Sequence, residues 1–162
     1  MPVDIAIEGL ENWPEEKIEK FKPQLRYALM GEGLPPEQAD LALKSGIHAL
    51  SNLFIDEKAR WILTQHKDSH SEYPLTYFQG NRYIRSVIDR TFVDNGIRWI
   101  IDYKTGNHEG SGKSLELFLD NEVERYRLQL ERYETVFRKY GEKLPIKKAL
   151  YFPLLKAWRE IV

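Results

Sequence analysis

The pattern of hydrophobic and polar positions changes near residue 66. Before that point, apolar residues recur at every third or fourth position, which is typical of amphipathic helices. After it, short aromatic and β-branched runs are separated by polar turns, which is typical of β-strands. A further stretch with helical spacing interrupts these runs. The pattern predicts three helices, three strands, a long helix and a last strand, in that order.

Proline and glycine set most boundaries of the predicted helices. Proline is favoured in the first turn of a helix and glycine just past its end, because proline lacks an N–H group and glycine tolerates positive φ. The first predicted helix starts at Pro14, and Pro23 interrupts it. The predicted helices cover residues 14–31, 36–54, 56–65 and 115–140.

Two short turns join the first three predicted strands. Gly80-Asn81 and Asn95-Gly96 suit two-residue hairpin loops, because both residue types tolerate positive φ. Strands joined by such loops are antiparallel neighbours, so we expect a meander. The predicted strands cover residues 72–79, 82–93, 97–104 and 146–152.

The third strand, within GIRWIIDYKTG (96–106), ends on a carboxylate and an ammonium group. Alternation along a strand puts Asp102 and Lys104 on the same face. An Asp–Lys pair at the end of a strand is most often a surface ion pair. A site that uses both groups is the alternative.

The two hairpin loops also align three carboxylates. If each loop has two residues, Asp89 lies opposite Asp102 and Glu72 lies opposite Asp89. Like charges that face each other destabilise a sheet, so something must offset the repulsion. A Mg²⁺ or Mn²⁺ ion would do so, because such ions prefer carboxylate oxygens. Lys104, one step along, would then place an attacking water or offset charge on a phosphate.

The composition narrows the class of protein. At 162 residues, with 42% hydrophobic residues, the chain can form one domain with its own core. It contains no cysteine, which excludes disulfides and cysteine-ligated metal sites and favours a reducing, cytoplasmic setting. No apolar run approaches the roughly 18 residues of a membrane span. We therefore expect a cytoplasmic domain that does not cross a membrane.

The net charge of −1 hides an uneven distribution. Residues 1–80 carry 8 Lys and Arg against 13 Asp and Glu, whereas residues 81–162 carry 16 against 12. A basic second half is compatible with a polyanionic partner, and equally with ordinary solvated helix faces. The charge alone therefore does not choose between these interpretations.

The string VIDRTFVDNGIRWIIDYKTG (87–106) resembles the nuclease motifs of the RecB-type branch of the PD-(D/E)XK superfamily. In that family an apolar strand ends in I-D-R and, after a turn, the next reads W-I-I-D-Y-K-T. The family also carries a Q-x-x-x-Y motif on the following helix, which Gln129 and Tyr133 match. The likeness runs from about Trp13 to LYFPLLKAWREI (150–161), which is similar to the tail of exonuclease V beta-subunit and AddA-like helicase–nucleases.

The resemblance implies a fold and an activity. The fold would be α/β (α+β), a restriction-endonuclease-like core whose central mixed sheet contains the meander and is flanked by helices. Residues 1–70 would form a helical part and residues 71–162 the catalytic core of one domain within a longer helicase–nuclease. That protein would hydrolyse DNA with Mg²⁺ or Mn²⁺ in double-strand-break repair and recombination, alongside a helicase domain in the same chain and a partner subunit.

The resemblance also implies roles for individual residues. Asp89 and Asp102 would bind the metal, Lys104 would act in the reaction, and Glu72 matches, more loosely, an acidic position before the first aspartate. Gln129 and Tyr133 would join the site, and their i,i+4 spacing puts both on one helix face. DNA would be held by its backbone, without base readout, by basic side chains. The expected DNA contacts are Arg82, Arg85, Arg90 and Lys113.

One departure from the family pattern leaves a rival open. Family members carry a histidine metal ligand in a G-x-x-x-H setting on an N-terminal helix. The first histidine here is His48, and Lys44 stands where the glycine is expected. We expect His48 to lie on a helix face and the chain to begin after the family's ligand. A DNA-binding or scaffolding module with an idle nuclease centre is therefore the alternative, and docking of a partner through the acidic helices is a third.

Two other motifs suggest chemistry without the required spacing. GSGKS (110–114) resembles a nucleotide-binding loop, but five residues rather than four separate Gly106 from Gly112. His66 and His70 have the spacing of a helical zinc pair, but the residues between them do not favour a helix. We expect both segments to be loops.

Overall fold

The computed structural model describes residues 15–162, apart from the side chains of residues 15–17 and Gln79. Pro14, the predicted start of the first helix, lies outside the described residues. Two compact units divide the chain, residues 1–64 and residues 65–162.

The described part of the first unit, residues 15–64, contains three helices, which confirms the predicted elements. They are α1 (Glu15–Gly31), α2 (Pro36–Ile55) and α3 (Glu57–Leu63). Pro23 lies inside α1, and the N-terminal proline of α2 occupies the first turn, where no backbone hydrogen bond is lost. The side chain of Asp56 caps α3 by accepting a hydrogen bond from a backbone N–H three residues further on.

The second unit is a five-stranded sheet crossed by one long helix. Neighbouring strands follow the chain order, and all pairs are antiparallel except the third with the fourth, which is parallel. The predicted meander within a mixed sheet is therefore confirmed. The elements are β1 (Lys67–Gln79), β2 (Arg82–Asp94), β3 (Ile97–Tyr103), α4 (Lys113–Lys139), β4 (Ile146–Phe152) and β5 (Ala157–Ile161).

The observed strands differ from the prediction mainly at the start of β1 and by one additional strand, β5. β1 begins five residues earlier than expected, because polar residues pair with the end of β2 after a register shift between Lys67 and His70. The prediction missed β5, because the turn before it places Lys156 at φ 49°. From sequence, a positive φ is normally expected only at glycine, asparagine or aspartate, so a lysine does not indicate this turn. No helix within residues 15–162 combines the length and hydropathy needed to cross a bilayer.

The core of the second unit lies between the sheet and α4. Because β3 and β4 are parallel, the chain must cross from one end of the sheet to the other, and α4 makes this connection. Apolar side chains on one stripe of α4 pack against one sheet face. The buried members of this core include Leu75, Ile88, Ile100, Leu119, Leu130, Val136, Phe137, Leu150 and Phe152.

The alternation of side chains slips by one residue in β1 and β2. Ile88 and Ile100 both belong to the core beneath α4, yet Thr91 is the residue of β2 that pairs with Ile100. Ile88 and Thr91 are three positions apart, so in a regular strand their side chains would point to opposite faces. On β1, His70 and Tyr73 are also three residues apart and their rings are 5.1 Å from each other. The slip therefore affects both strands at the same level.

Candidate active site

The predicted register of β2 and β3 is confirmed. The two strands pair around their two-residue turn up to Arg90 and Ile101. One further step in the same register puts Asp89 opposite Asp102. The turn chemistry alone therefore brings these two carboxylates to adjacent positions on neighbouring strands, Asp89 within β2 and Asp102 near the end of β3.

Asp102 is a buried carboxylate in ion-pair contact with Lys104. Its side chain is only 4% exposed, and the Lys104 ammonium group contacts Oδ2. The same Oδ2 atom is buried, and the ammonium group is its polar partner. Lys104 lies just past β3, where its backbone N–H still donates to the carbonyl of Tyr151 at 2.9 Å. This bond extends the ordered backbone of β3 to the lysine, so the Asp–Lys pair is held by the sheet.

Asp89 faces this pair and is half-buried. Its Oδ2 accepts a hydrogen bond from the backbone N–H of Tyr103 at 2.7 Å. Burial raises the pKa of the Asp89 carboxyl, and the negative charge of Asp102 raises it further, against the opposing effects of the Tyr103 hydrogen bond and the charge of Lys104. The other oxygen of Asp89 accepts no hydrogen bond from the described residues. The site therefore carries more negative charge than its protein neighbours neutralise.

α4 places Gln129 and Tyr133 over the carboxylates. The side-chain amide of Gln129 donates to the Tyr133 hydroxyl at 2.8 Å and lies 3.4 Å from Oδ1 of Asp102. The Tyr133 hydroxyl in turn donates to the carbonyl of Val87 at 3.3 Å. Burial raises the pKa of Tyr133, so its hydroxyl keeps its proton at neutral pH. These contacts link α4 to β2 two residues before Asp89.

Tyr126, which lies on the apolar stripe of α4, is also a residue of the site. Its ring lies beneath the Lys104 ammonium group, 3.6 Å from Nζ to the ring centroid. This cation–π contact gives the lysine a second partner besides its carboxylate. The available signal was position, because Tyr126 precedes Gln129 by three residues and so shares its helix face.

Glu72 lies at the predicted register position but stands apart from the two aspartates. β1 and β2 pair on both sides of it in the register that puts Glu72 opposite Asp89. Its own φ is 48°, in the left-handed region, and its side chain is exposed. Its charge is not among those that shift the pKa of Asp89. The three-carboxylate row predicted from the turns is therefore a row of backbone positions, in which only two side chains converge.

The predicted DNA contacts divide into exposed and buried residues. Arg82 and Arg85 are exposed in the β1–β2 hairpin, and Lys113 is exposed at the first residue of α4. Arg90 corrects the prediction, because it is only 6% exposed and donates to the Ser71 hydroxyl at 3.2 Å. A guanidinium buried in this way cannot reach a DNA backbone.

The remaining motifs form no second site. The expected loop ends at Gly112, and the last two residues of GSGKS, Lys113 and Ser114, already belong to α4. His48 is exposed on α2, which confirms the expected helix-face position. His66 precedes β1, whereas His70 lies within it and is not in a loop. Within residues 15–162, no group of three or more His, Cys, Asp or Glu side chains is arranged to bind a metal ion.

The two aspartates nevertheless fit a divalent cation. Asp89 has one carboxylate oxygen that accepts no hydrogen bond from the described residues, and the buried Oδ2 of Asp102 contacts the Lys104 ammonium group. Two carboxylates beside one ammonium group leave a net negative charge, which a cation can offset. Mg²⁺ is typically bound through one or two carboxylates, with water and substrate phosphates as its other ligands. The donor set therefore suits a hard ion shared with a phosphate.

Comparison with known proteins identifies the family. A search of curated proteins gives no match. The family model of the PD-(D/E)XK nuclease superfamily matches residues 10–160, nearly the whole chain. Proteins of this superfamily are nucleases that generally use divalent metal ions. The chain therefore belongs to the PD-(D/E)XK nuclease superfamily.

Proposed function

We propose that this chain is a Mg²⁺- or Mn²⁺-dependent deoxyribonuclease of the RecB type. The convergence of Asp89, within β2, with Asp102 and Lys104, at the end of β3, under a Q-x-x-x-Y helix carries the proposal. The wider context is part of it: a nuclease domain of a cytoplasmic helicase–nuclease for double-strand-break repair and recombination, in which residues 71–162 form the catalytic core. The RecB-like motifs in 87–106 and the Q-x-x-x-Y match support this context.

Asp89 and Asp102 would hold the metal ion between their carboxylates. When bound, the ion lowers the pKa of a coordinated water and polarises a phosphoryl oxygen. Asp89 must lose its proton to contribute, and its raised pKa means that it does so at a higher pH than an ordinary aspartate. The two aspartates thus act together as an anionic cradle.

Lys104 would act on the phosphate side of the cradle. Its side chain is 15% exposed, so the ammonium group is partly desolvated yet open to a substrate. In that environment a positive charge stabilises negative charge that develops on a phosphate more strongly than in water. Asp102 and Tyr126 hold the ammonium group from two sides, so little reorganisation is needed when the phosphate arrives.

Gln129 and Tyr133 would orient the acid that they contact. Gln129 supplies the one side-chain amide beside Asp102 Oδ1 among the described residues, and Tyr133 fixes Gln129. Gln129 engages Oδ1 and Lys104 contacts Oδ2, so a bound ion would share Oδ2 with the ammonium group. This division of labour between the two oxygens favours a fixed geometry over one in which the carboxylate rotates.

The rival function is a DNA-binding or scaffolding module with an idle centre. The observation that favours it is the pair of ligands: among the described residues only two carboxylates converge, and no histidine joins them. Such a module would bind DNA through the same basic residues. It would not cleave DNA at any metal concentration.

Cleavage of linear DNA separates the two. End-labelled linear DNA is incubated with the purified chain and either Mg²⁺, Mn²⁺ or EDTA. We expect metal-dependent cleavage that is lost in Asp102→Ala and Lys104→Ala and retained in Arg132→Ala, an exposed arginine on α4 with no contact to the site. DNA binding without cleavage in the wild type, with either metal, would support the scaffold instead.

A further inference from the structure

The β1–β2 hairpin extends beyond the rest of the sheet. β3 pairs with β2 only from Asp94 to Arg90, whereas β1 and β2 remain paired to the turn at residues 80–81. Residues 73–88 therefore form a two-stranded ribbon past the end of β3. α4 supports its base, where the Tyr140 hydroxyl donates to the carbonyl of Thr76.

Two aromatic side chains stand opposite each other near the tip of this ribbon. Phe78 pairs with Tyr83, and their ring centroids are 5.2 Å apart with an interplanar angle of 61°. Phe78 is 55% exposed and Tyr83 is 78% exposed. The pair therefore presents aromatic surface to solvent, next to a turn whose Gly80 adopts positive φ.

The charge of the ribbon favours a polyanion. Residues 73–88 contain Arg82 and Arg85 and no acidic residue. Arg85 is two positions from Tyr83 on the same strand, so both lie on the same face, and both are exposed. An arginine beside an exposed aromatic pair is the combination that binds a nucleic acid strand by phosphate contact and base stacking.

β2 connects the tip of the ribbon to the candidate active site, although the side chains of Tyr83, Arg85 and Val87 point to the sheet face opposite Ile88 and α4. Tyr83, Arg85 and Val87 alternate along β2, and the carbonyl of Val87 accepts the Tyr133 hydroxyl. Asp89 lies six positions after Tyr83, which corresponds to about 20 Å along the strand. At 3.4 Å for each stacked nucleotide, this distance is about six nucleotides.

We propose that Phe78 and Tyr83 form a single-strand binding subsite, on which DNA bases stack about six nucleotides from the bond that is cut. The proposal deepens the nuclease function and rests on it for the position of the cut. The occupant is a single strand because duplex bases already stack on their neighbours and offer no free face. Arg85 contacts the backbone of the same strand.

Binding in EDTA tests the subsite without requiring cleavage. The probe is a fluorescein-labelled dT20 oligonucleotide, titrated by anisotropy at fixed salt. We expect Tyr83→Ala to raise the Kd by about 5- to 100-fold, the range for loss of base–aromatic stacking. Tyr83→Phe should keep the Kd within about twofold, because the ring is retained. We expect Arg85→Ala to reduce the slope of log K against log salt by about 0.7, the value for one lost single-strand phosphate contact.

The matched control is Tyr27→Ala. Tyr27 is a tyrosine of α1 that is 81% exposed, close to the exposure of Tyr83, and belongs to the helical unit. We expect no change in Kd for this variant. An unchanged dT20 affinity in Tyr83→Ala would overturn the proposal and leave the aromatic pair for a protein partner. Equal losses for dT20 and for a blunt 20-bp duplex would also overturn it.

The length of the substrate tests the predicted distance. In Mn²⁺, Tyr83→Ala should slow cleavage of dT20 but not of dT4, because four nucleotides cannot span from the cut to the aromatic pair. Slower cleavage of both lengths would overturn the six-nucleotide placement. If the wild type cleaves neither oligonucleotide yet Tyr83→Ala still weakens dT20 binding, the nuclease proposal fails and the stacking subsite stands.

Discussion

Neutralising one of the two facing aspartates should stabilise the metal-free protein and destroy its response to metal. Asp89→Asn removes one of two negative charges that lie opposite each other on β2 and β3. The asparagine oxygen can still accept the hydrogen bond from the Tyr103 N–H group, so the local backbone contact is retained. The variant therefore tests the charge rather than the shape of the site.

The stabilisation by the substitution is smaller than the stabilisation by a bound ion. Adding metal should therefore reverse which of the two proteins, the wild type or Asp89→Asn, is the more stable. A cross-strand pair is worth about 0.2–1 kcal/mol, and like charges in that position are unfavourable. We therefore expect Asp89→Asn to raise the free energy of unfolding in EDTA by about 0.2–1 kcal/mol, or the Tm by up to about 4 °C for a chain of this size. An ion present at 100 times its Kd stabilises the folded state by about 2.7 kcal/mol. The wild type should gain about 5–10 °C from it.

Thermal unfolding by circular dichroism, in EDTA and in millimolar Mn²⁺, measures both effects. We expect the variant to unfold at the higher temperature in EDTA and the wild type at the higher temperature in Mn²⁺. Asp120→Asn is the control, because Asp120 is an exposed aspartate of α4, 3.8 Å from Arg159 and outside the site. If Asp89→Asn is the less stable protein in EDTA, or gains as much from Mn²⁺ as the wild type, the anionic cradle does not exist.

Three further predictions concern the same site. The raised pKa of Asp89 means that the folded state binds this proton more tightly than the unfolded state does. Lowering the pH from above the raised pKa to the ordinary aspartate range therefore stabilises the wild type. The difference in Tm between the wild type and Asp89→Asn in EDTA should close over this range. Over the same range, Mn²⁺ affinity measured by calorimetry should fall. Tyr126→Leu should destabilise the protein by about 1–2 kcal/mol in urea unfolding and lower kcat with little change in KM, whereas Tyr126→Phe should retain both, because the ring holds Lys104. Glu72→Gly should raise the stability in urea by about 1 kcal/mol by relieving a positive φ, and it should leave Mn²⁺ affinity unchanged unless Glu72 binds the ion.

The sequence predicts the carboxylate pair because turn chemistry determines register. Asn95-Gly96 allows few loop lengths, and a two-residue loop makes every later pairing along β2 and β3 a matter of counting. The same reasoning gives the register of β1. Side-chain alternation on β3 then puts Asp102 and Lys104 on one face, where the structure has them in contact.

The sequence does not predict which neighbours complete the site, because those contacts depend on packing between distant segments. Tyr126 fits the apolar stripe of α4 equally well as a core residue, and only the position of Lys104 makes it a cation–π partner. Arg90 follows Asp89 directly and, as an arginine, is a residue type expected at a DNA contact. In the fold, however, its side chain is buried. Exposure is a property of the whole fold and leaves no local signal.

The slip in alternation explains how one strand serves both the core and the site. The ribbon must place Ile88 against the core beneath α4, and in a regular strand the next residue would then point away from it. Asp102 points toward α4, so a regular β2 would separate Asp89 from its partner. The slip between Ile88 and Thr91 lets Asp89 face Asp102 while Ile88 stays buried. Its cost falls on β1, where Glu72 adopts a positive φ, and such strain persists only where surrounding structure enforces it.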